Sequence, residues 1–345
     1  MGSGKPTSFD IAYEAGVSQS TVSRALRNSP LVKEETRRRV QDAARRLNYQ
    51  VDQRAAGLRS QRSRTLAVLL FEDPTSDDSQ INPFFLSMLS SITHAAARRE
   101  YDVLLSFQQL SDNWHTRYEL SNRADGIILL GYGDFRSYRE KLDHLESAGA
   151  HFIIWGPAEV AKPSHAMCTD NSTGAAEATR HLIDLGRRRI AFAGTADSRY
   201  PEFRQRFRGY RSAIRSAGLD SNEDLQFDAD NLESAGRSAA LSLLDSGSSV
   251  DAVVAASDLI AIGAIAGFTE RGLRVPEDIA VVGFDDIPAA TYVRPPLTTV
   301  RQDTVAAGQA LVDNVIRRID GEEVAPTLLR PFLTVRASCG ARLNR

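Results

Sequence analysis

The sequence predicts an α/β protein in which a small all-α head precedes a larger, two-lobed α/β body. Its 345 residues exceed one ordinary domain. Residues 1–64 carry 13 Lys and Arg against 6 Asp and Glu, a net +7, whereas the remainder carries 29 against 38, a net −9. From Thr65 onwards, strand and helix patterns alternate in two successive sets, which indicates two parallel sheets. The charge division predicts a polyanionic partner for the head alone.

The head contains three helical patterns. The first ends at Gly16, a residue suited to the left-handed conformation of a sharp turn. Ser18 is a candidate N-cap for the second helix, Gln19–Leu26, and the third pattern runs over 34–47. Two short helices joined by a glycine turn predict a helix-turn-helix, whose second helix enters the DNA major groove.

The outward polar residues of that second helix are candidate DNA contacts. Gln19 and Ser20 lie in the first turn, where base edges would be reached, and Arg24 has the fork geometry for guanine O6 and N7. Short hydroxyls suit phosphate oxygens. The predicted contacts in this region are Ser18, Gln19, Ser20, Thr21, Ser23, Arg24 and Arg27. The alternative is a solvated face of an ordinary helical bundle.

The body is predicted from its alternating patterns. The predicted strands are Leu66–Phe71, Val103–Phe107, Gly126–Leu130, Arg189–Ala193, Ala252–Ala255 and Ile279–Phe284. The predicted helices are Phe84–Ala97, Phe207–Ala217, Ala235–Leu244 and Leu259–Arg271. Strands alternating with helices predict parallel sheets whose carboxyl ends are the usual place for a ligand.

Catalytic signatures are missing from the sequence. Gly131-Tyr-Gly133 lacks the third glycine and the following helix of a dinucleotide fingerprint. The adjacent carboxylates Asp285 and Asp286 would point in opposite directions at a strand end, which is poor geometry for shared acid–base work. Cys168 and Cys339 are too far apart in sequence to suggest a metal cluster or a disulfide framework. We expect no enzyme activity, no cofactor and no metal site.

The hydropathy pattern predicts a protein without a membrane partner. No run approaches the ~18 apolar residues of a membrane span, and the first nine residues lack the apolar stretch of a signal peptide. We therefore expect a cytoplasmic protein.

One long string resembles a known family. The run Asp10-Ile-Ala-Tyr-Glu-Ala-Gly-Val-Ser-Gln-Ser-Thr-Val-Ser-Arg24 is similar to the signature of lac repressor family (LacI/GalR) bacterial transcriptional regulators, and the likeness continues through most of the body. It implies a periplasmic-binding-protein-like body with a ligand between its lobes. The implied domains are a helix-turn-helix head (1–49), a hinge helix (50–62) and an effector-binding and dimerisation body (63–345). The implied first lobe covers about 63–162 and 295–325, and the second about 163–294 and 326–345.

The resemblance also assigns a role to Leu58. In this family, paired hinge helices push a leucine into the minor groove, which unstacks a base step and bends the duplex. Here Val51 stands where the family usually has proline, and Gly57 weakens a helix by up to ~1 kcal/mol. A plain linker is the alternative reading of this segment.

The resemblance further implies a set of effector contacts. Arg206 and Asp285 match the family's effector-binding arginine and aspartate, and Ser257 stands where the family has asparagine. The aromatic side chains of Phe84 and Trp155 suit packing against a sugar face. The implied contacts are thus Phe84, Trp155, Arg206, Ser257 and Asp285. The alternatives are a surface ion pair for Arg206 and plain core positions for the two aromatic residues.

Two flanking motifs are predicted to be structural. We expect Asp258 to cap a helix that begins near Ile260, and Asp170-Asn171 to open a helix of the second lobe.

These inferences predict a transcriptional repressor that is controlled by a small metabolite. We expect it to bind palindromic double-stranded operator DNA and an effector, most simply a sugar. A purine or a phosphorylated sugar acting as corepressor is the alternative, and a sugar-binding transport protein is a distant one, which the basic head disfavours. One helix-turn-helix reads half a site, so we expect a homodimer. Only seven residues follow Ser338, without a heptad, so we expect no tetramer.

Overall fold

A computed structural model describes residues 6–49, 62–71, 81–108, 113–131, 135–157, 159, 161–219 and 225–341. The chain divides into two compact units, Met1–Ser63 (the head) and Arg64–Arg345 (the body). The predicted hinge contact Leu58, like Val51 and Gly57 of the same segment, lies outside the described residues.

The head is a bundle of three helices, α1 (Ser8–Ala15), α2 (Gln19–Leu26) and α3 (Glu34–Arg46). Gly16 ends α1 with a φ of 64°, and the Ser18 hydroxyl caps α2 by accepting a hydrogen bond from the Thr21 amide at 3.2 Å. Ile11, Val22 and Val40, one from each helix, are fully buried in a shared core. The predicted helix-turn-helix is confirmed.

The body alternates strands and helices along its whole length. Its elements, in chain order, are β1 (Thr65–Phe71), α4 (Pro83–Arg98), β2 (Asp102–Gln108), β3 (Gly126–Leu130), α5 (Phe135–Ser147), β4 (Phe152–Trp155), β5 (Ala166–Thr169), α6 (Asn171–Asp184), β6 (Ile190–Ala193), α7 (Pro201–Ser216), β7 (Gln226–Phe227), α8 (Glu233–Asp245), β8 (Ala252–Ala255), α9 (Asp258–Glu270), β9 (Ala280–Asp285), α10 (Ala289–Tyr292), β10 (Thr298–Arg301), α11 (Thr304–Ile319), β11 (Thr327–Leu329) and β12 (Phe332–Thr334). A short π-helix (Thr116–Leu120) and a 3-10 turn (Pro163–His165) complete the described elements.

These strands form two six-stranded sheets, one in each lobe. The first has the order β11-β5-β4-β3-β1-β2 and the second the order β12-β10-β9-β8-β6-β7. The strands run parallel, except that β12 pairs with β10 in the antiparallel direction. The predicted α/β body with two parallel sheets is therefore confirmed.

Each sheet is covered on both faces because neighbouring residues of a strand point in opposite directions. In β1, Val68 packs in one core with Ile92 of α4, whereas Leu69 packs in another with Leu142 of α5. In β9, Phe284 lies against α6, since a Cβ added at Gly174 would approach its ring to 3.0 Å. Burying one such side chain contributes roughly 1.5–3 kcal/mol, so the layers are held mainly by apolar contact.

The chain crosses between the two sheets three times, and the crossings correct the expected lobe boundaries. Strands β5 and β11 were expected in the second lobe. Instead, β5 pairs with β4 of the first lobe, and β11 pairs with β5. Strand β10 was expected in the first lobe but pairs with β9 of the second. Short buried strands of either lobe have the same apolar pattern, so the pattern does not specify the partner strand.

Helix α7 also differs from its prediction, because it begins at Pro201 rather than Phe207. Proline is favoured in the first turn of a helix, and Phe203, Tyr210 and Ile214 then form a continuous buried stripe. Arg206 therefore lies within a helix, ahead of the residue at which this helix was expected to begin.

Within the described residues, no helix combines the length and the apolar composition that a membrane span requires.

Candidate functional site

Polar residues gather at the carboxyl edge of the second sheet. Thr195 follows β6, Asn231 follows β7, Ser257 follows β8, and Asp285 is the last residue of β9; all four are buried. Open parallel α/β sheets bind ligands outside this edge. The edge is therefore the candidate ligand site.

Arg206 is the centre of this polar cluster and is only 1% exposed. Its Nε donates to Oδ1 of Asn171 at 2.8 Å, and its Nη1 donates to the carbonyl of Ala256. Its Nη2 lies 3.4 Å from Oδ1 of Asp285, and its Cζ lies 3.8 Å from the ring centroid of Phe284. A surface ion pair, the alternative reading of Arg206, is wrong because both partners are buried.

Close packing of two helices carries Arg206 to this position. At Gly209, a Cβ would lie 2.0 Å from the carbonyl oxygen of Ser172, so the backbones of α6 and α7 touch. Any larger residue at Gly209 would separate the helices. Arg206, nearly one turn earlier on α7, consequently reaches Asn171, the residue before Ser172.

Asp285 is held in a strained conformation. Its φ is 118°, a region that non-glycine residues rarely adopt and that costs roughly 1–3 kcal/mol. The Gln302 amide donates to its Oδ1 at 2.7 Å, on the same oxygen that faces Arg206. The neighbouring Asp286 instead accepts from Arg336 at 2.6 Å. The two carboxylates therefore have separate partners and do not form a catalytic pair.

Ser257, not Asp258, caps helix α9. The Ser257 hydroxyl accepts from the Ile260 amide at 3.3 Å and donates to Oδ1 of Asn231 at 2.5 Å. The prediction of an Asp258 cap is therefore wrong, because that residue already lies within the helix and turns inwards. Its carboxyl accepts from the Thr299 hydroxyl at 2.5 Å and from the Ile287 amide at 2.8 Å. Burial, together with the nearby Asp285 carboxylate, raises the pKa of Asp258 well above its ordinary value.

Asp170 and Asn171 are structural, as predicted, but Asn171 also serves the site. Asp170 caps α6 by accepting from the Thr173 amide at 2.9 Å. Asn171 donates to the Thr169 carbonyl at 3.1 Å, which leaves its Oδ1 fixed towards Arg206.

Three other polar residues in this region were not predicted from the sequence. The Nδ2 of Asn231 is buried and has no hydrogen-bond partner among the described residues, and an unsatisfied buried donor costs about 1–3 kcal/mol. Gln302 orients Asp285, and Glu202 lies one helical turn before Arg206. Burial raises the pKa of Glu202 to about 7. Single amides and acids in loops and first turns have no periodic signal that could have identified them.

Two aromatic residues of the first lobe, Phe84 and Trp155, lie in the hydrophobic core beside this region. Phe84 and Trp155 are 1% and 3% exposed, and their ring centroids lie 6.2 Å apart. Phe84 also borders a cavity of about 230 Å³, which both lobes line. The lining residues are Phe84, Ser87, Asp285, Asp286, Ile287, Arg301, Gln302 and Thr304. The structure thus brings Phe84 to Asp285, whereas Trp155 packs against Phe84.

The segments 72–80, 109–112 and 132–134, which follow β1, β2 and β3 in the sequence, lie outside the described residues. In the part of the chain that the structure describes, no group of His, Cys, Asp and Glu is arranged to hold a metal ion.

The second polar surface is helix α2 of the head. Ser18, Ser20, Arg24 and Arg27 are exposed on it, whereas Gln19, Thr21 and Ser23 are half-buried. The Gln19 amide donates to the Ser8 hydroxyl at 2.9 Å, and the Arg27 guanidinium donates to the Ser23 carbonyl at 3.1 Å and to its hydroxyl at 3.0 Å. Gln19 would have to exchange its bond to Ser8 before it could reach a base edge.

Comparison with family profiles identifies both units. Residues 9–52 match the profile described as bacterial regulatory proteins of the lacI family, and residues 179–339 match a periplasmic binding protein-like domain. The chain is 33% identical to the HTH-type transcriptional regulator CelR of Thermobifida fusca, over 97% of this chain and 98% of that protein. It is 30% identical to the ribose operon repressor of Escherichia coli strain K12, over 96% of this chain and 99% of the repressor.

Solved structures show the same architecture. A complex of the transcriptional regulator CelR with cellobiose superposes with a TM-score of 0.71 at 31% identity, covering 96% of this chain and 99% of that one. A lac repressor dimer bound to operator and the anti-inducer ONPF superposes with a TM-score of 0.81 at 25% identity, covering 98% and 100%.

Proposed function

Because the chain belongs to the lacI family of bacterial regulatory proteins, we propose that it is a repressor whose affinity for operator DNA is controlled by a sugar bound between the lobes. It is a DNA-binding transcriptional regulator and not an enzyme. It acts as a dimer on operator DNA. The proposal concerns the effector, the residues that contact it and the residues that read the operator.

The neutral Arg206–Asp285 pair is the observation that carries the choice of a sugar. The two charges compensate each other inside the site, where an unpaired charge would be costly. A neutral ligand with many hydroxyls can bond both groups without disturbing this balance, whereas a phosphorylated sugar would add uncompensated negative charge beside Glu202. A solved structure of the transcriptional regulator CelR is a complex with cellobiose, which supports the same choice.

The proposed contacts divide by chemistry. Arg206 donates to ligand oxygens, Asp285 accepts from ligand hydroxyls, and Ser257 holds Asn231, whose unpartnered amide donates to the ligand. For Phe84 and Trp155 we propose packing against a sugar ring, which requires the buried faces of their rings to become uncovered.

The effector proposal is tested by a melting-temperature screen of the full chain. We expect cellobiose, ribose or another neutral sugar to raise the melting temperature by mass action, and to change operator affinity in fluorescence anisotropy. Ser257→Ala should weaken that response, whereas Ser238→Ala, an exposed serine on α8, should not. A melting shift produced only by purine bases or only by phosphorylated sugars would overturn the choice of a neutral sugar.

The proposed operator contacts are Ser18, Gln19, Ser20, Thr21, Ser23, Arg24, Arg27 and Leu58, on a head of 1–49 and a hinge of 50–62 that precede a body of 63–345. Their support is the exposed polar face of α2 and the net +7 of residues 1–64. We place this activity at the nucleoid of a bacterial cytoplasm.

Leu58→Ala tests the hinge part of this proposal. It should weaken operator binding and reduce DNA bending in gel-phasing experiments, because the minor-groove wedge is lost, while sugar affinity stays unchanged. An unaltered bend angle would exclude the wedge.

A further inference from the structure

Four arginines lie along one face of helix α7, on the side of the helix opposite to Arg206. They are Arg204, Arg208, Arg211 and Arg215, which we call the arginine face. Their spacing of four, three and four residues places them above one another on a helix. Arg208 and Arg215 are exposed and the other two are half-buried, whereas Arg206 is fully buried.

Such a concentration of positive charge is unexpected here, because residues 65–345 together carry a net charge of −9. Like charges three or four residues apart on a helix repel each other. Glu159 lies 3.5 Å from Arg208, and Arg211 packs over the ring of Phe207. Within the described part of the chain, no acidic side chain forms an ion pair with Arg211 or Arg215. The charges of Arg211 and Arg215 are therefore not balanced by an ion pair among the described residues.

The surface between these side chains has the size and chemistry of a small anion site. It is an open groove of about 360 Å³ that is lined by Arg208, Arg211, Ser212, Arg215 and Ser216. Guanidinium groups bond phosphate oxygens in a paired fork, and serine hydroxyls can supply further donors. Three guanidiniums and two hydroxyls beside one space match the oxygens of a phosphate group.

The charge of the surroundings limits how large the anion can be. The arginine face extends over 12 residues of helix, from Arg204 to Arg215, or roughly 16 Å. A nucleic acid that extended beyond this face would meet the net negative charge of the rest of the body. Salt screens charges over about 8 Å, so the arginines could not offset that repulsion at a distance. The surface therefore favours a compact anion over a long polyanion.

We propose that the arginine face of α7 is a second ligand site, separate from the cleft, that binds a small phosphate-bearing molecule. It goes beyond the proposed sugar response, which uses Arg206 on the opposite side of the same helix. The recognised chemistry is the phosphate group, whether it is free phosphate or part of a metabolite.

Isothermal titration of the full chain tests the site, with inorganic phosphate, glucose 6-phosphate and glucose as probes. We expect saturable binding of at least one phosphate probe, weakened tenfold or more in Arg211→Gln/Arg215→Gln. The matched control, Arg237→Gln/Arg271→Gln, removes the same charge from exposed arginines of α8 and the end of α9, and should change affinity less than twofold. Equal affinities for phosphate and glucose 6-phosphate would show that the phosphate group alone is recognised, and binding of glucose 6-phosphate alone would show that the sugar contributes.

Three results would overturn the proposal. The first is the absence of saturable binding by either phosphate probe. The second is loss of phosphate binding in Arg206→Lys but not in the arginine-face variant, which would place the anion in the cleft. The third is an arginine-face variant that weakens operator binding yet leaves phosphate binding intact, which would make the face a DNA contact.

Discussion

Arg206 in the body and Arg24 in the head are both predicted to bind a ligand, but their surroundings differ. Arg206 is 1% exposed and is fixed by Asn171, Ala256 and Asp285 before any ligand arrives. Arg24 is exposed in the last turn of α2. Arg206 has already lost its water on folding, whereas Arg24 loses its water only when it binds DNA. Removing Arg206 should therefore damage both the fold and the ligand response, whereas removing Arg24 should damage binding alone.

The largest expected effect is that of Arg206→Ala. It leaves the Asp285 carboxylate buried without its cation, which typically costs about 3–5 kcal/mol of unfolding free energy. Urea denaturation should show this loss, and the sugar should no longer change operator binding by the folded fraction. Arg237→Ala, which removes a half-exposed ion pair with Glu270, should cost less than about 1 kcal/mol. Equal losses in the two variants would remove the distinction between buried and exposed arginines.

Glu202→Gln sharpens the same comparison with a buried acid. The pKa of Glu202 is raised by burial from 4.5 to about 7, so the folded state resists its ionisation. Wild-type stability should fall as the pH rises from 4.5 through 7, by up to about 3 kcal/mol, and Gln should abolish this fall. The variant should thus be more stable than wild type at pH 8 and similar at pH 4.5, in urea denaturation of the ligand-free protein. The exposed Glu233→Gln on α8 is the control; a Glu202→Gln curve that follows it at both pH values would contradict the prediction.

Arg24→Ala tests the exposed arginine in the comparison with Arg206. It should weaken operator binding by ~1–3 kcal/mol and relax the preference at one base pair, with no change in melting temperature. Fluorescence anisotropy on operator and on random duplexes separates the two possible roles. An equal loss on both duplexes would assign Arg24 to a phosphate instead of a base.

The smallest effect is expected at an ion-paired cluster of intermediate exposure in the first lobe. Glu119 accepts hydrogen bonds from the rings of His115 and His151, each at 2.9 Å. Burial opposes ionisation of Glu119, but the bonds from His151 outweigh it and lower the pKa of Glu119, and the same carboxylate raises the pKa of His151. The histidine contribution is present below pH 6.5 and is lost as the pH rises through its raised pKa. The carboxylate contribution is present above pH 4.5 and is lost as the pH falls through its lowered pKa.

Glu119→Gln should consequently lower the melting temperature more at pH 6 than at pH 9. The difference should correspond to less than about 1 kcal/mol, because His151 is 43% exposed and its charge is screened by water. The exposed Glu140→Gln on α5 is the control. A larger fall in melting temperature at pH 9 than at pH 6 would contradict the predicted direction of the pH dependence.

The sequence specified the features that depend on local pattern. The helix-turn-helix followed from the glycine turn at Gly16 and the cap at Ser18, and the α/β body from alternating apolar runs. The lobe to which β5, β10 and β11 belong could not be predicted, because strand pairing is decided by distant parts of the chain. Within the site, Arg206 and Asp285 were identified through a family resemblance. Asn231 was not, because an isolated amide in a loop has no repeating context.

Two amides stand where the polypeptide passes from one lobe to the other. Asn171 opens α6 just after β5, and Gln302 lies between β10 and α11. The Asn171 side chain orients the guanidinium of Arg206, and the Gln302 side chain orients the carboxylate of Asp285. Any swing of one lobe against the other must change backbone torsions beside these amides, so it must also alter the aim of both charges. The same two amides therefore belong both to the crossings between the lobes and to the ligand site. A ligand that bonds Arg206 and Asp285 would consequently restrict the relative motion of the lobes.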